Sequence, residues 1–231
     1  EIFCKYPDSN KWIPFSEGLP EKVEPVYCCG NPDRFYLATQ EHGLFTRSLR
    51  DRSWKNVSAT CFLRKSLYEK KPSFRKISAV AVDPDNGLHV VCATKHSLYE
   101  SSNGGESWTE LKKYTSLKRH YITALIINRH KIYAGTSYGG VFRLDGGSAR
   151  AVNRGLPYES YSEKLKFYEE IVSLDQSDST GRIEAILAHR TDRYILHTDG
   201  WKKTGPVAIP SYMREGWKFS RIIRNDGTTG V

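Results

Sequence analysis

Four segments of this chain repeat one grammar: an alternating apolar run, a turn, a second run ending in a small residue and Thr, a short loop, then an aliphatic residue beside an aromatic. The first reads VEPVYCC (23–29), FYLAT (35–39) and GLF (43–45); the second ISAVAVD (77–83), HVVCAT (89–94) and SLY (97–99). The third reads ITALIIN (122–128), KIYAGT (131–136) and GVF (140–142), and the more worn fourth IVSLDQ (171–176), RIEAILAH (182–189) and YILH (194–197). Thr39, Thr94 and Thr136 mark one place in this grammar, and Arg190 falls near it in the fourth repeat. The marks lie 42 to 55 residues apart, the spacing of a four-stranded blade. Alternation within the runs puts residues i, i+2 and i+4 on one face, which argues for strands over helices.

With 231 residues, the chain can bury a large core as one all-β domain. Plentiful aromatics and scattered Gly and Pro suit many short strands joined by turns. No run of about 18 apolar residues is present, so no membrane span is expected. Five cysteines cannot all pair internally. Cys28 and Cys92 sit in strand-like runs as small buried hydrophobes, and Cys28 and Cys29 point to opposite faces of one strand; a disulfide through Cys4 or Cys61 is open but unsupported.

The stretch LYESSNGGESW (98–108) carries the sharpest motif. Asn103 and Gly105 suit a tight turn, since both tolerate positive φ and an Asx side chain bonds to backbone two residues on. Ser101 and Ser107 tie the turn to itself, and Trp108 supplies an apolar plate for the gap between sheets. Ser101-x-Asn103-x-Gly105-x-Ser107-Trp108 resembles the Asp-box, with Asn in place of Asp, and so the repeat of Asp-box β-propellers. That family includes sialidases, xyloglucan hydrolases, sortilin-type receptors and photosystem II assembly factors. Weaker relics follow the other repeats: RLDGGSAR (143–150), TDGW (198–201) and Ser53-Trp54. GLP at 18–20 and 155–157 turns the chain from an outer strand toward the next inner one.

The expected fold is an all-β propeller of four-stranded blades, about four and a half to five of them, in one domain over 1–231. The repeats run approximately 1–54, 55–108, 109–150, 151–201 and an incomplete 202–231. Both ends fall in mid-blade, which favours a piece of a larger propeller over a ring closed by residues 1–6.

The resemblance also sorts the loops onto two faces. The Asp-box turns lie on one, and loops from strand four to the next strand one, with those from strand two to strand three, surround the opposite channel mouth. Four long inserts fall in the second set: 58–76, 112–120, 153–170 and 201–218. Counting Lys and Arg less Asp and Glu, they carry +5, +4, −1 and +3. The formal charge of the chain is +9, so its excess maps to one face. Lys65, Lys70, Lys71, Arg75, Lys76, Lys112, Lys113, Lys118 and Arg119 form the core of this patch. Tyr68, Tyr114 and Tyr161, with Phe74, Tyr121, Tyr158 and Tyr212, interleave stacking surface. Such a face attracts an acidic partner and weakens its grip as salt rises.

Catalytic signals are sparse. The sialidase Phe-Arg-Ile-Pro motif is missing; SFRKIS (73–78) keeps Phe74 and Arg75 only, and Arg221 and Arg224 do not make an arginine triad. Asp83 and Asp85 belong to a turn marked by Pro84 and Gly87, and Asp175 and Glu184 show no partner for paired-carboxylate hydrolysis. Seven histidines are scattered without metal-ligand spacing, so no metal, cofactor or catalytic residue is expected. Asn56-Val57-Ser58 is a glycosylation sequon. The reading is a non-catalytic binding or assembly scaffold for an acidic protein segment or an anionic glycan. The alternative is a glycoside hydrolase or sialidase-like enzyme with part of its site outside this chain. Nucleic acid fits less well, because no base-reading motif accompanies the charge. The resemblance implies a place outside the cytoplasm.

Overall fold

The computed structural model describes residues 2–5, 11–58, 62–64, 73–74, 76–95, 97–112, 114, 117, 119–162, 165–176, 181–190, 192–206, 222–223 and 229–230. A hairpin of β1 (Phe3–Lys5) and β2 (Trp12–Pro14) comes first. The first full sheet holds β3 (Pro25–Gly30), β4 (Arg34–Thr39), β5 (Leu44–Ser48) and β6 (Lys55–Asn56), followed by the small hairpin β7 (Leu63–Arg64) and β8 (Ser73–Phe74). The second holds β9 (Ile77–Asp83), β10 (Asn86–Thr94), β11 (Leu98–Ser101) and β12 (Thr109–Glu110). The third holds β13 (Ile122–Asn128), β14 (Lys131–Thr136), β15 (Val141–Asp145) and β16 (Ser148–Ala151). After the hairpin β17 (Tyr158–Ser162) and β18 (Leu165–Tyr168) comes the fourth: β19 (Ile171–Gln176), β20 (Ile183–Leu187), β21 (Asp192–His197) and β22 (Gly200–Pro206). A last hairpin pairs β23 (Ile222–Ile223) with β24 (Thr229–Gly230).

All four full sheets are antiparallel meanders in sequence order. Their first strands, β3, β9, β13 and β19, pack against one another in turn, and β23 touches β3. Each sheet is therefore a blade with its first strand innermost, and the four segments of shared grammar fall on the first three strands of these blades. Among the described residues no helix is long and apolar enough to cross a membrane.

Strands of the first three blades are apolar at both parities because each faces packed neighbours on both sides. In β4, Tyr36 and Ala38 join the cluster shared with the second and third blades, while Leu37 and Phe35 face the cluster of Phe15 and Trp54. In β14, Ile132 and Ala134 join the former cluster, while Tyr133 packs against the cluster that holds the fourth blade's Ile171, Leu174 and Trp201. Cys28 and Cys29 divide the same way, half-buried and buried; burial pushes the Cys28 thiol up to about 12 and raises Cys29 as well. Cys92 is buried too.

The recurrent Thr closes the loop from second to third strand. Thr39 Oγ1 donates to the Gly43 carbonyl at 2.9 Å, Thr94 to Ser97 at 3.5 Å and Thr136 to Gly140 at 2.8 Å. At the other end of the second blade, Ser101 Oγ accepts from the Gly105 amide at 2.9 Å and donates to Asn103 Oδ1 at 2.8 Å. Asn103 Oδ1 in turn accepts from the Ser107 amide at 3.0 Å. This self-tied turn rests on the start of β10 through Gly104 N to Leu88 O, 2.8 Å.

Candidate functional site: an aromatic and cationic loop face

Meander topology places the loops from second to third strand, and those from fourth strand to the next blade, at one end of the blades. Main-chain hydrogen bonds join them side by side. Ile122 N donates to Lys95 O, Ser137 N to Tyr121 O at 3.0 Å, Tyr168 N to Tyr138 O at 2.9 Å and Ala188 N to Glu170 O at 3.0 Å. The result is a belt across the second, third and fourth blades.

Large aromatic rings stand on this belt. Tyr121 is 42% exposed, Tyr138 62% and Tyr158 48%, far more than packing needs. Two carry a cation: Lys95 Nζ sits 3.9 Å from the Tyr121 ring centroid and Lys166 Nζ 4.3 Å from that of Tyr158. Tyr168 lies 5.8 Å from Tyr158, ring to ring. Beside them Arg190 holds Glu169 through Nε and Nη2, both 2.7 Å from Oε1; the other Glu169 oxygen is buried without a partner. An ammonium over a ring contributes roughly 0.5–1 kcal/mol at an exposed site. Its larger consequence is to pin a flexible lysine so that its charge faces outward beside a flat apolar surface.

Of the expected contact residues that the structure describes, three are exposed and one is buried. Lys76, Lys112 and Arg119 are exposed at the same end. Lys65, Lys70, Lys71, Arg75, Lys113, Lys118 and Tyr68 lie outside the described residues, and for Tyr161 only its place in β17 is described. Tyr114 is corrected: it is 6% exposed and belongs to the core, so its ring is not offered to a partner. A tight turn, with Leu117 N donating to Tyr114 O at 3.1 Å, tucks both side chains inward. Phe62, 0% exposed against Tyr99 and Trp108 at 4.8 and 5.2 Å, anchors the base of the first basic insert.

Tyr138, the most exposed of these tyrosines, is the residue that sequence reasoning missed. Its signal was present: an aromatic between Ser137 and Gly139 in a loop closed by Thr136 has no core to enter. His120 lies beneath that loop, its ring 5.4 Å from Phe142 and so close to Gly139 that a Cβ there would strike it. Burial, with help from Arg119, lowers the His120 pKa.

The carboxylates weighed for hydrolysis are engaged elsewhere. Asp175 accepts from Ser173 Oγ at 2.6 Å, and Glu184, 8% exposed, pairs with Arg193 at 3.5 Å. Asp83 and Asp85 lie in the β9–β10 turn at the opposite end of the blades, as their turn chemistry required. There they meet His130, and the oxygen and nitrogen atoms of the three lie within 4.8 Å of one another, a cluster that no sequence spacing announced.

These blades, with their inner strands packed in turn, define a β-propeller. No family model and no curated protein matches the chain, but solved structures do. An ancestral GH74 enzyme matches 84% of this chain with 25% of its own, at 18% identity and a TM-score of 0.54. YCF48 bound to D1 peptide matches 86% with 60% of its own, at 14% identity and 0.55. The GH74 xyloglucanase from Xanthomonas campestris matches 84% with 32% of its own, at 13% identity and 0.55. The chain thus spans less than two thirds of each of these proteins, and what it shares with them is the fold.

Proposed function

We propose that this chain is a non-catalytic binding or assembly module whose loop face holds an acidic protein segment. One observation carries the reading: exposed tyrosines on hydrogen-bonded neighbouring loops, two of them capped by lysines. A peptide bearing carboxylates and apolar side chains meets both halves of that surface, the ammonium groups taking the charge and the rings taking the rest. The likeness to YCF48, which is described with a bound peptide, gives a precedent on the same fold. An anionic glycan shares the charge and the stacking chemistry and is the competing ligand. A place outside the cytoplasm suits either.

Fluorescence anisotropy with a labelled Glu- and Phe-containing peptide, beside a sulfated oligosaccharide, tests this at low and moderate salt. Peptide binding that weakens with salt and is lost when Lys65, Lys70, Lys71 and Arg75 are all changed to Glu supports the reading. Equal binding by that variant overturns it, and preference for the sugar moves the assignment to glycans. Activity on aryl-glycosides, abolished by a single carboxylate change, would replace it with the hydrolase reading.

A further inference from the structure

We propose that Asp83, Asp85 and His130 form a site for a divalent transition-metal ion of the zinc class, clipping the second blade to the third at the end opposite the loop face. The argument starts from the turns between first and second strands. In three blades these are two-residue turns whose leading position is Asn31, Asp83 or Asn128. Asn31 Nδ2 donates across to the Asp83 carbonyl at 3.3 Å and Asn128 Nδ2 to the Gly181 carbonyl at 3.1 Å. The position is thus an inter-blade latch, and a neutral amide performs it in the first and third blades. The second blade has a carboxylate there, and its neighbour meets it with an imidazole.

Asp83 is buried, its side chain 3% exposed, yet its Oδ2 faces two imidazole nitrogens, His89 Nδ1 at 3.1 Å and His130 Nδ1 at 3.3 Å. Its Oδ1 accepts from the Asp85 amide at 3.0 Å, which holds the carboxylate at a fixed angle. His130 reaches it from a turn whose two central residues, Arg129 and His130, have φ of 49° and 59°, conformations that non-glycine residues adopt at a cost. The exposed Asp85 carboxylate completes the three-donor group.

The donors select the ion. Zinc-class ions bind imidazole nitrogen and carboxylate oxygen at about 2.0–2.2 Å, so adjacent ligands of a tetrahedral site stand ~3.3 Å apart, as His130 Nδ1 and Asp83 Oδ2 do. Calcium and magnesium prefer all-oxygen sets, which the imidazole breaks. Three protein ligands leave further positions for water. His89 supports the group as an outer partner: its Nε2 lies 3.0 Å from Glu100 Oε1, so the ring is held between two carboxylates and fixes the Asp83 oxygen. An ion here neutralises the buried carboxylate and adds a bond across a blade gap.

Calorimetric titration of the tag-free chain with Zn²⁺, and of a parallel sample with Co²⁺ read by visible absorption, tests the site. His130 is 73% exposed at its side chain and Asp85 is exposed, so His130→Ala and Asp85→Asn leave the core intact. The expected result is saturable Zn²⁺ binding with a raised Tm, weakened by more than about 100-fold in both variants, while His89→Ala costs the 10–100-fold typical of an outer partner. Absence of saturable binding, unchanged affinity in either ligand variant, or a preference for Ca²⁺ over Zn²⁺ would overturn the proposal.

Discussion

The indole Nε1 of Trp201 donates to the carbonyl of Val152 at 2.6 Å, across the gap between the fourth blade and the third. Its main-chain amide donates at 2.7 Å to Arg154 O, two residues further along the same strand exit. Trp54 makes the same pair of bonds to Phe15 O at 2.6 Å and Glu17 O at 2.7 Å, and Trp108 Nε1 reaches Val57 O at 2.9 Å. The tryptophan that opens the outer strand is therefore a staple to the preceding blade. Trp201 is 4% exposed, so Trp201→Ala should lower unfolding free energy by ~3–5 kcal/mol. Trp201→Phe keeps the apolar plate and loses the bond, for about 1–3 kcal/mol. Trp108 is only half-buried, and Trp108→Ala should fall below the Trp201→Ala value in the same urea titration.

The GLP turns belong to this staple. Gly155 has φ of +90° and Gly18 of +85°, and a Cβ at either would run into the carbonyl of the stapling tryptophan, Trp201 or Trp54. Gly155→Ala should thus combine left-handed backbone strain with a clash that only a blade shift relieves, a loss of roughly 2–4 kcal/mol. Gly146, also at positive φ but with nothing within 4 Å of a Cβ, serves as the control. Gly146→Ala should cost only about 1 kcal/mol. Equal losses at the two sites would mean that the close approach to Trp201 contributes nothing.

Thr136 is wholly buried, donating to the Gly140 carbonyl at 2.8 Å and accepting from the Gly139 amide at 3.0 Å. Thr136→Val preserves shape but leaves the buried Gly139 amide without its acceptor, for about 1–3 kcal/mol, while the Gly140 carbonyl keeps the Thr136 main-chain amide at 3.0 Å. The same loop presents Tyr138, so peptide affinity at the loop face should fall as well. A variant that unfolds more easily yet binds as tightly would separate the loop from the site.

Strand order and register were legible because a blade interior has strong, local rules. Alternation, the Thr that caps a loop and the Trp that opens the outer strand each mark a fixed place in the repeat, and all three landed there. Residues whose role depends on a neighbouring blade were harder to read. Tyr114 resembled an exposed loop tyrosine because the core it enters is shared among the first three blades; the Tyr114–Leu117 spacing was its only local sign. His130 gave no metal spacing because Asp83 lies in another blade. Aligning the turns at 31, 83 and 128 would have exposed the odd carboxylate.

His120 links the loop face to pH. Burial first, then the neighbouring Arg119, lowers its pKa from 6.5, so the folded chain takes up this proton less readily than the unfolded one. Stability is then unaffected above the ordinary value, declines as pH falls from about 6.5 to the folded pKa, and levels off below it. The imidazolium would also form against Phe142 and beneath the Tyr138 loop, so acid should loosen that loop. His120→Gln removes the titration: its Tm should fall less than that of the parent between pH 8 and pH 5, compared by calorimetry at constant ionic strength. Parallel declines in the two proteins would show that other groups govern the acid side and that His120 is only a packing residue.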